Sequence, residues 1–276
     1  MKTNRSYKHI ILLFIGIFSV VSTEAQNDSL QPRGVIDRCH LFGVGVTNIL
    51  DTYLSPENYT GIEVRFMGET TRTTRLGHGR ISQYQLSMGN ISSMNYRDGN
   101  GSEIAGMYTY NIGWHYNWML CDGRLRLQAG GLFDFNIGFI YNTRNSNNPA
   151  QGKLYMNIAP SFIASYKFTL WNRPFSVRYL LNIPVAGVMF SPNYGQSYYE
   201  IFSEGNYDHN VVPTTFICSP SLRNMLSLDF NIGHNTFRIG YMGDFQQSNV
   251  NNLKSHTWSH LLMIGFVKRF KILPAL

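Results

Sequence analysis

Long stretches of the chain alternate apolar and polar side chains with a period of two, the mark of strands with two unlike faces. From Ile104 to Trp118 the even positions read Ile104, Gly106, Tyr108, Tyr110, Ile112, Trp114, Tyr116 and Trp118. The odd positions hold Ala105, Met107, Thr109, Asn111, Gly113, His115 and Asn117. In the next segment Leu125, Leu127, Phe133, Phe135, Ile137 and Phe139 oppose Arg124, Arg126, Gln128, Asp134 and Asn136, with Leu132 the exception on the polar face. Five further segments behave alike, near residues 153–168, 175–185, 222–232, 236–245 and 257–270. Three weaker ones precede them, near 40–49, 62–70 and 80–90. In the last of these Tyr84, Leu86 and Met88 compete with Ile81 for the apolar face, so its register stays open. The pattern predicts about ten strands. An extra hairpin near Tyr198–Phe202 and Val211–Ile217 would make twelve, so about 8–12 strands are expected, toward the small end of such barrels.

A soluble sandwich also alternates, but its strands are usually about 5–6 residues long, and Ile104–Trp118 alone far exceeds that. The apolar faces are rich in large aromatics, whereas the opposite faces carry charges and glycines, as a narrow lumen would. These features predict an all-β, closed antiparallel transmembrane β-barrel. Loop lengths give a second sign. Connections near 71–79, 119–123, 171–173 and 233–235 are short, whereas those near 50–61, 92–103, 142–152, 191–221 and 246–255 are longer. Short turns on one side and long loops on the other suit an outer-membrane barrel with both termini in the periplasm. Trp114, Trp118 and Trp171 would then form an interfacial girdle at the short-turn boundary, with Trp258 another interfacial aromatic.

Composition agrees with lipid contact. Aromatic residues make up 14% of the chain and charged residues only 14%, against about 25% charged in ordinary soluble proteins. Residues 1–25 read as a signal peptide: Lys2, Arg5 and Lys8 precede the apolar run Ile10–Val21, and Thr23-Glu24-Ala25 offers a cleavage site. Residues 26–276 would then be one barrel domain. The formal charge is +7. Scattered lysines and arginines make a poor nucleic-acid surface. Cys39, Cys121 and Cys218 form neither a disulfide framework nor a metal motif. No metal, cofactor or nucleic-acid partner is expected.

The predicted lumen face combines Arg65, Arg124, Arg126, Lys167, Arg178, Arg223 and Arg238 with Glu63, Glu69, Asp134, Asp229 and Asp244. Such charges can line a constriction that selects ions or small solutes, or pair and fill the interior. About eight strands leave room only for side chains, and wide channels need about sixteen, so a filled lumen is the expectation and a narrow channel the alternative. The activity expected is that of a structural or surface-interaction barrel, contacting outer-membrane lipid and an extracellular ligand or small solute. In the 191–221 loop, Asp208 beside His209 could activate a water, which keeps a membrane-embedded hydrolase open as a further alternative. The spacing is not that of omptin-type proteases. His256 and His260 share a strand face too far apart for one metal, and read as interfacial. The usual hydrolase, zinc and nucleotide motifs are absent.

Residues 50–66 resemble the front of a family of uncharacterised Bacteroidetes outer-membrane β-barrel proteins. The matching residues are Tyr53-Leu54-Ser55-Pro56, Tyr59-Thr60-Gly61, Glu63 and Arg65, and the closing Gly265-Phe266-Val267-Lys268-Arg269-Phe270 fits the same group. The resemblance implies an outer-membrane location and carries over no substrate or catalytic residue. Tyr53, Ser55, Pro56, Tyr59 and Gly61, together with Asp208 and His209, are the candidate surface-loop site, the first five as a surface turn.

Overall fold

A computed structural model describes residues 35–271, apart from Asn147 and His234. The expected signal peptide lies outside the described residues. The strands in chain order are β1 (Val35–Asp51), β2 (Ser55–Thr73), β3 (Ile81–Tyr96), β4 (Ser102–Leu120), β5 (Leu125–Asn142), β6 (Ala150–Leu170), β7 (Arg173–Asn182), β8 (Ala186–Phe190), β9 (Val211–Thr215), β10 (Leu222–Ile232), β11 (Asn235–Val250) and β12 (Leu253–Lys271). A short helix, α1 (Tyr198–Phe202), lies in the loop between β8 and β9. A 3-10 turn, Leu76–Gly79, joins β2 to β3.

All pairing is antiparallel. Twelve strand segments build ten staves, because β7 and β8 are successive stretches of one stave, and β9 and β10 of the next. β6 pairs with β8 through Leu154–Ile158 and with β7 through Ser161–Leu170. The ladder breaks between them at Pro160 and Pro184, which lack the N–H a continuous ladder needs. Ile183 and Val185 keep the stave attached by donating to the Pro160 and Ile158 carbonyls, each at 3.0 Å. Pairing of β1 with β12 and of β5 with β6 closes the sheet into a barrel. The twelve-strand alternative is therefore corrected: Val211–Thr215 prolongs an existing stave, and Tyr198–Phe202 is helical.

The register fixes the barrel's dimensions. The row perpendicular to the strands that starts at Tyr166 runs through Val177, Leu228, Ile239, Ile264, Phe42, Phe66, Gly89, Tyr108 and Ile137. It returns to β6 at Leu154, 12 residues from where it began (166 − 154). Ten staves with that shear tilt by about 40°, inside the usual barrel range.

The alternation resolves into two surfaces. Phe42, Val44, Val46, Ile62, Phe66, Phe133, Ile137, Met156, Ile158, Leu226, Ile239, Leu262 and Ile264 point outward and are exposed, an apolar belt that suits lipid. The open register of β3 is settled. Tyr84, Leu86 and Met88 are buried in the lumen and Gln83, Gln85 and Ser87 face outward. Packing decides this: Met88 sits opposite Met67 and joins an apolar cluster inside the barrel.

Tight curvature needs glycine at close approaches. Gly113 and Gly130 face inward on adjacent strands. A Cβ at Gly113 would lie 2.0 Å from the Gly131 carbonyl oxygen, and one at Gly130 1.8 Å from that of Trp114.

The expected contrast in loop lengths needs correcting, because the strands run further than the alternation showed. On the side opposite the termini the connections shrink to 52–54, 97–101, 143–149 and 251–252, leaving 191–210 as the long loop. The Asn251-Asn252 and Trp171-Asn172 turns, at opposite ends, are both two-residue hairpins with positive φ. One elaborated loop, rather than five, distinguishes the two ends.

Candidate functional site

The interior is where the sequence brings its chemistry together. Of the charges expected to face the lumen, four arginines and five carboxylates form two buried ion-pair layers. In the layer nearer the loop end, Arg65 donates to Glu63 at 2.7 Å and to Asp244 at 2.5 Å. Arg223 lies 3.3 Å from Asp244 and 3.5 Å from Asp134. Asn111 and Asn136 donate to Asp134 at 2.6 and 2.8 Å, and Ser259 donates to Glu63 at 2.5 Å. In the layer nearer the termini, Arg178 donates to Glu69 at 2.8 Å. Arg238 makes a two-pronged contact with Asp229, at 2.6 and 2.8 Å. Buried charges persist in such a site only when paired and hydrogen-bonded.

Between the two layers lies one made of Leu41, Met67, Leu86, Met88, Leu132, Leu180, Met225, Met242, Leu261 and Met263, each buried to within 2% of complete. The backbone alternation places it there. Along β2 the inward residues run Arg65, Met67, Glu69; along β10, Arg223, Met225, Ser227, Asp229; along β11, Arg238, Gly240, Met242, Asp244. Methionine suits the role, since its unbranched side chain fills irregular gaps at the centre of a barrel. The ion-paired, side-chain-filled lumen expected from the sequence thus also has an apolar middle. Sequence reasoning missed these methionines and read Leu132 only as an exception. The available signal was one apolar residue flanked on the same face by opposite charges.

Two cavities lie on either side of the seal. The one toward the loop end is small, about 60 Å³, and is lined by Lys153, Tyr155, Gln246, Ser221 and His256 among others. The one at the terminus end is about 750 Å³ and open. No methionine of the apolar layer lines either cavity.

The remaining expected lumen charges lie outside the plug. Arg124 and Lys167 face inward at the terminus-end mouth and are exposed. Arg126 is held by Asn117, whose amide oxygen accepts at 2.8 and 3.1 Å.

The candidate loop residues divide. Tyr59 is buried with Ile49, Leu54, Met94, Ala105 and Ile140 in a second apolar cluster under the loops. Ser55, Pro56 and Gly61 belong to β2, so the expected surface turn is shorter than the motif. Tyr53 does meet the long loop, its ring 5.8 Å from that of Tyr198. Burial, then Tyr198, pushes its hydroxyl pKa up to about 12. Loop 191–210 is folded. Ser197 and Glu200 form a capping box at the start of α1. Those bonds from Ser197 hold the Glu200 carboxyl below its ordinary pKa. The Tyr198 hydroxyl accepts from the Gly152 amide at 2.7 Å and bonds Gln151 at 3.1 Å. Asn251 ties both ends of the loop, donating to the Ser191 and His209 carbonyls.

Asp208 and His209 pair with each other, but both are exposed, at 67% and 83% of their side-chain surface, and among the described residues no third side chain is hydrogen-bonded to either side chain. Trp114, Trp118 and Trp171 stand toward the terminus end, Trp171 in the turn itself, and Trp258 stands toward the loop end, stacked on His256 at 4.1 Å. His260 faces outward and bonds the Tyr241 hydroxyl at 2.6 Å. Among the described residues, no cluster of metal-ligating side chains occurs.

A family model covers residues 9–275, the whole described barrel and most of the segment before it. The chain belongs to the DUF3316 family, proteins of unknown function. No curated relative matches it. Among solved structures, the DUF3316 barrel is similar to the transport unit of the autotransporter AIDA-I from Escherichia coli. Identity is 7%, with 92% of this chain and 97% of that one covered at a TM-score of 0.44. The translocator domain of the autotransporter NalP from Neisseria meningitidis matches at 9% identity, covering 95% and 97%, with a TM-score of 0.38. The COG4313 outer membrane channel from Pseudomonas putida F1 matches at 7%, covering 89% and 98%, with a TM-score of 0.38. Overlaps this loose add nothing to what strand pairing and the apolar belt establish.

Proposed function

We propose that this DUF3316 protein is a non-conducting outer-membrane barrel, structural or surface-interacting, that works through its loop-end surface. One observation carries the reading: the Met–Leu layer closes the lumen between two ion-paired layers, so a hydrated ion would have to cross apolar side chains. A narrow channel would need that layer to part. At the loop end, the folded 191–210 segment presents Tyr194, Tyr199, Phe202 and Tyr207 to solvent, with Ile217 beside it on the same side. Exposed aromatic clusters of this kind favour contact with a partner.

Outer-membrane residence is supported by the closed barrel with its lipid-facing belt. Periplasmic termini are supported by the single elaborated loop at the opposite end and by the tryptophans near the terminus-side turns. Recordings of the refolded full chain in planar bilayers test the main reading. Quiet bilayers are expected, and a stable unitary conductance from the wild type would refute it. An Ile217→Cys, Cys121→Ser variant tests orientation, since Ile217 is 92% exposed at the loop end. It should label on whole cells with an impermeant maleimide. Labelling only after lysis would reverse the orientation.

A further inference from the structure

The seven basic residues of the lumen face do not share one fate. Arg65, Arg178, Arg223 and Arg238 are matched by five carboxylates within the plug. Among the described residues, Arg124, Arg126 and Lys167 form no ion pair: Arg124 and Lys167 line the terminus-end mouth, whereas Arg126 is held by Asn117, and Asp37 lies within electrostatic reach of both Arg126 and Lys167. Arg124, just before β5, stands beside Lys167 on β6, whose amide donates to the Arg124 carbonyl at 2.9 Å. Arg269 enters the same vestibule from β12. The acids lining it are Asp37 and Asp229. Both are occupied: Asp37 accepts from Arg269 at 2.6 and 3.2 Å, and Asp229 from Arg238.

We propose that this vestibule is a binding site for a small, multiply charged oxyanion such as a phosphate ester or polycarboxylate. Its volume of about 750 Å³ holds a small ligand. Two inward cations without an ion-pair partner among the described residues, Arg124 and Lys167, stand with Arg269 in a cleft with a closed floor and focus a positive potential. Arginine presents the forked donors that bind oxyanions two-pronged, and lysine adds a mobile point charge. Lys167 lies within electrostatic reach of Arg269 and Arg126, and a bound anion would relieve that like-charge repulsion. The site needs neither a loop-end partner nor a conducting lumen.

The test is titration of the full chain, refolded in non-ionic detergent, with inorganic pyrophosphate. Low ionic strength keeps screening weak, the Debye length being about 30 Å at 0.01 M. Binding is expected in the wild type. An Arg124→Gln, Lys167→Gln double variant should weaken it about tenfold or more. Lys254→Gln, at the opposite end, should leave it unchanged. Asp37→Asn frees Arg269 from its acid and should tighten binding, an outcome that misfolding cannot mimic. No heat above the detergent blank would overturn the proposal. So would equal loss in Lys254→Gln, or weaker binding in Asp37→Asn. Displacement of pyrophosphate by phosphatidylglycerol micelles would make the natural oxyanion a lipid headgroup, and no displacement would make it a soluble one.

Discussion

Glu69 is the most informative single position in the plug. Among the described residues its carboxylate is the only acid paired with Arg178, at 2.8 Å, and a second, longer partner of Arg238, at 3.9 Å. All three side chains are less than one-tenth exposed. Glu69→Gln keeps the shape and much of the hydrogen bonding but removes the charge. The layer then holds two arginines against Asp229 alone, with Arg126 already within electrostatic reach of Arg178. Unit charges about 4 Å apart attract by about 4 kcal/mol at an effective dielectric of about 20, and breaking one partner of a buried pair typically costs about 3–5 kcal/mol. The expected loss is therefore about 3 kcal/mol, read as a lower urea midpoint for reversible unfolding in lipid vesicles with an unchanged slope. Arg178→Met in the same background should recover most of it, because an apolar residue can replace a buried ion at little cost. A loss below about 1 kcal/mol, the value of an exposed pair, would refute the reasoning. It would mean that water from the mouth reaches the layer and that the plug is not dry.

Three other outcomes follow from the same geometry. Gly113→Val should abolish the heat-modifiable barrel on gels, because its Cβ would meet the Gly131 carbonyl at 2.0 Å, whereas Gly131→Ala, with open space around it, should fold; folding of both would remove the close approach. Ile264→Lys, on the lipid face, should cost about 2–4 kcal/mol of vesicle stability if it lies near the bilayer centre, and a neutral result would place it outside the bilayer. Protection of loop 191–210 from protease should be full above the ordinary glutamate pKa and fall as acid protonates Glu200 through its depressed folded value; Glu200→Gln should flatten that profile, and an acid-sensitive Glu200→Gln loop would reject the cap as its cause.

Much of the candidate site was visible along the chain. The inward charges Arg65, Glu69, Asp134, Arg178, Arg223, Arg238 and Asp244 sit on polar faces that alternation exposes, because side-chain direction in a strand depends only on parity. Which of them pair was not visible, since Arg65 meets Asp244 across 179 residues of chain. Strand ends were misjudged for a related reason. Backbone pairing continues beyond the bilayer without an alternating pattern, so Ser55–Thr60 reads as loop yet lies in β2. In β3, both faces carry apolar groups, and only contact with Met67 settles which turns inward.

The sequence by itself determined a two-faced strand repeat, a barrel of about ten staves with twelve left open, the lipid-facing side of nearly all of them and the identity of the lumen charges, because those depend on local periodicity. The tertiary structure alone decided that a methionine layer seals the lumen between two ion-pair layers, and that Arg124 and Lys167 stand at one mouth without an ion pair among the described residues. Both follow from shear: a 12-residue stagger round the barrel sets which inward residues share a level, and no single strand carries that information.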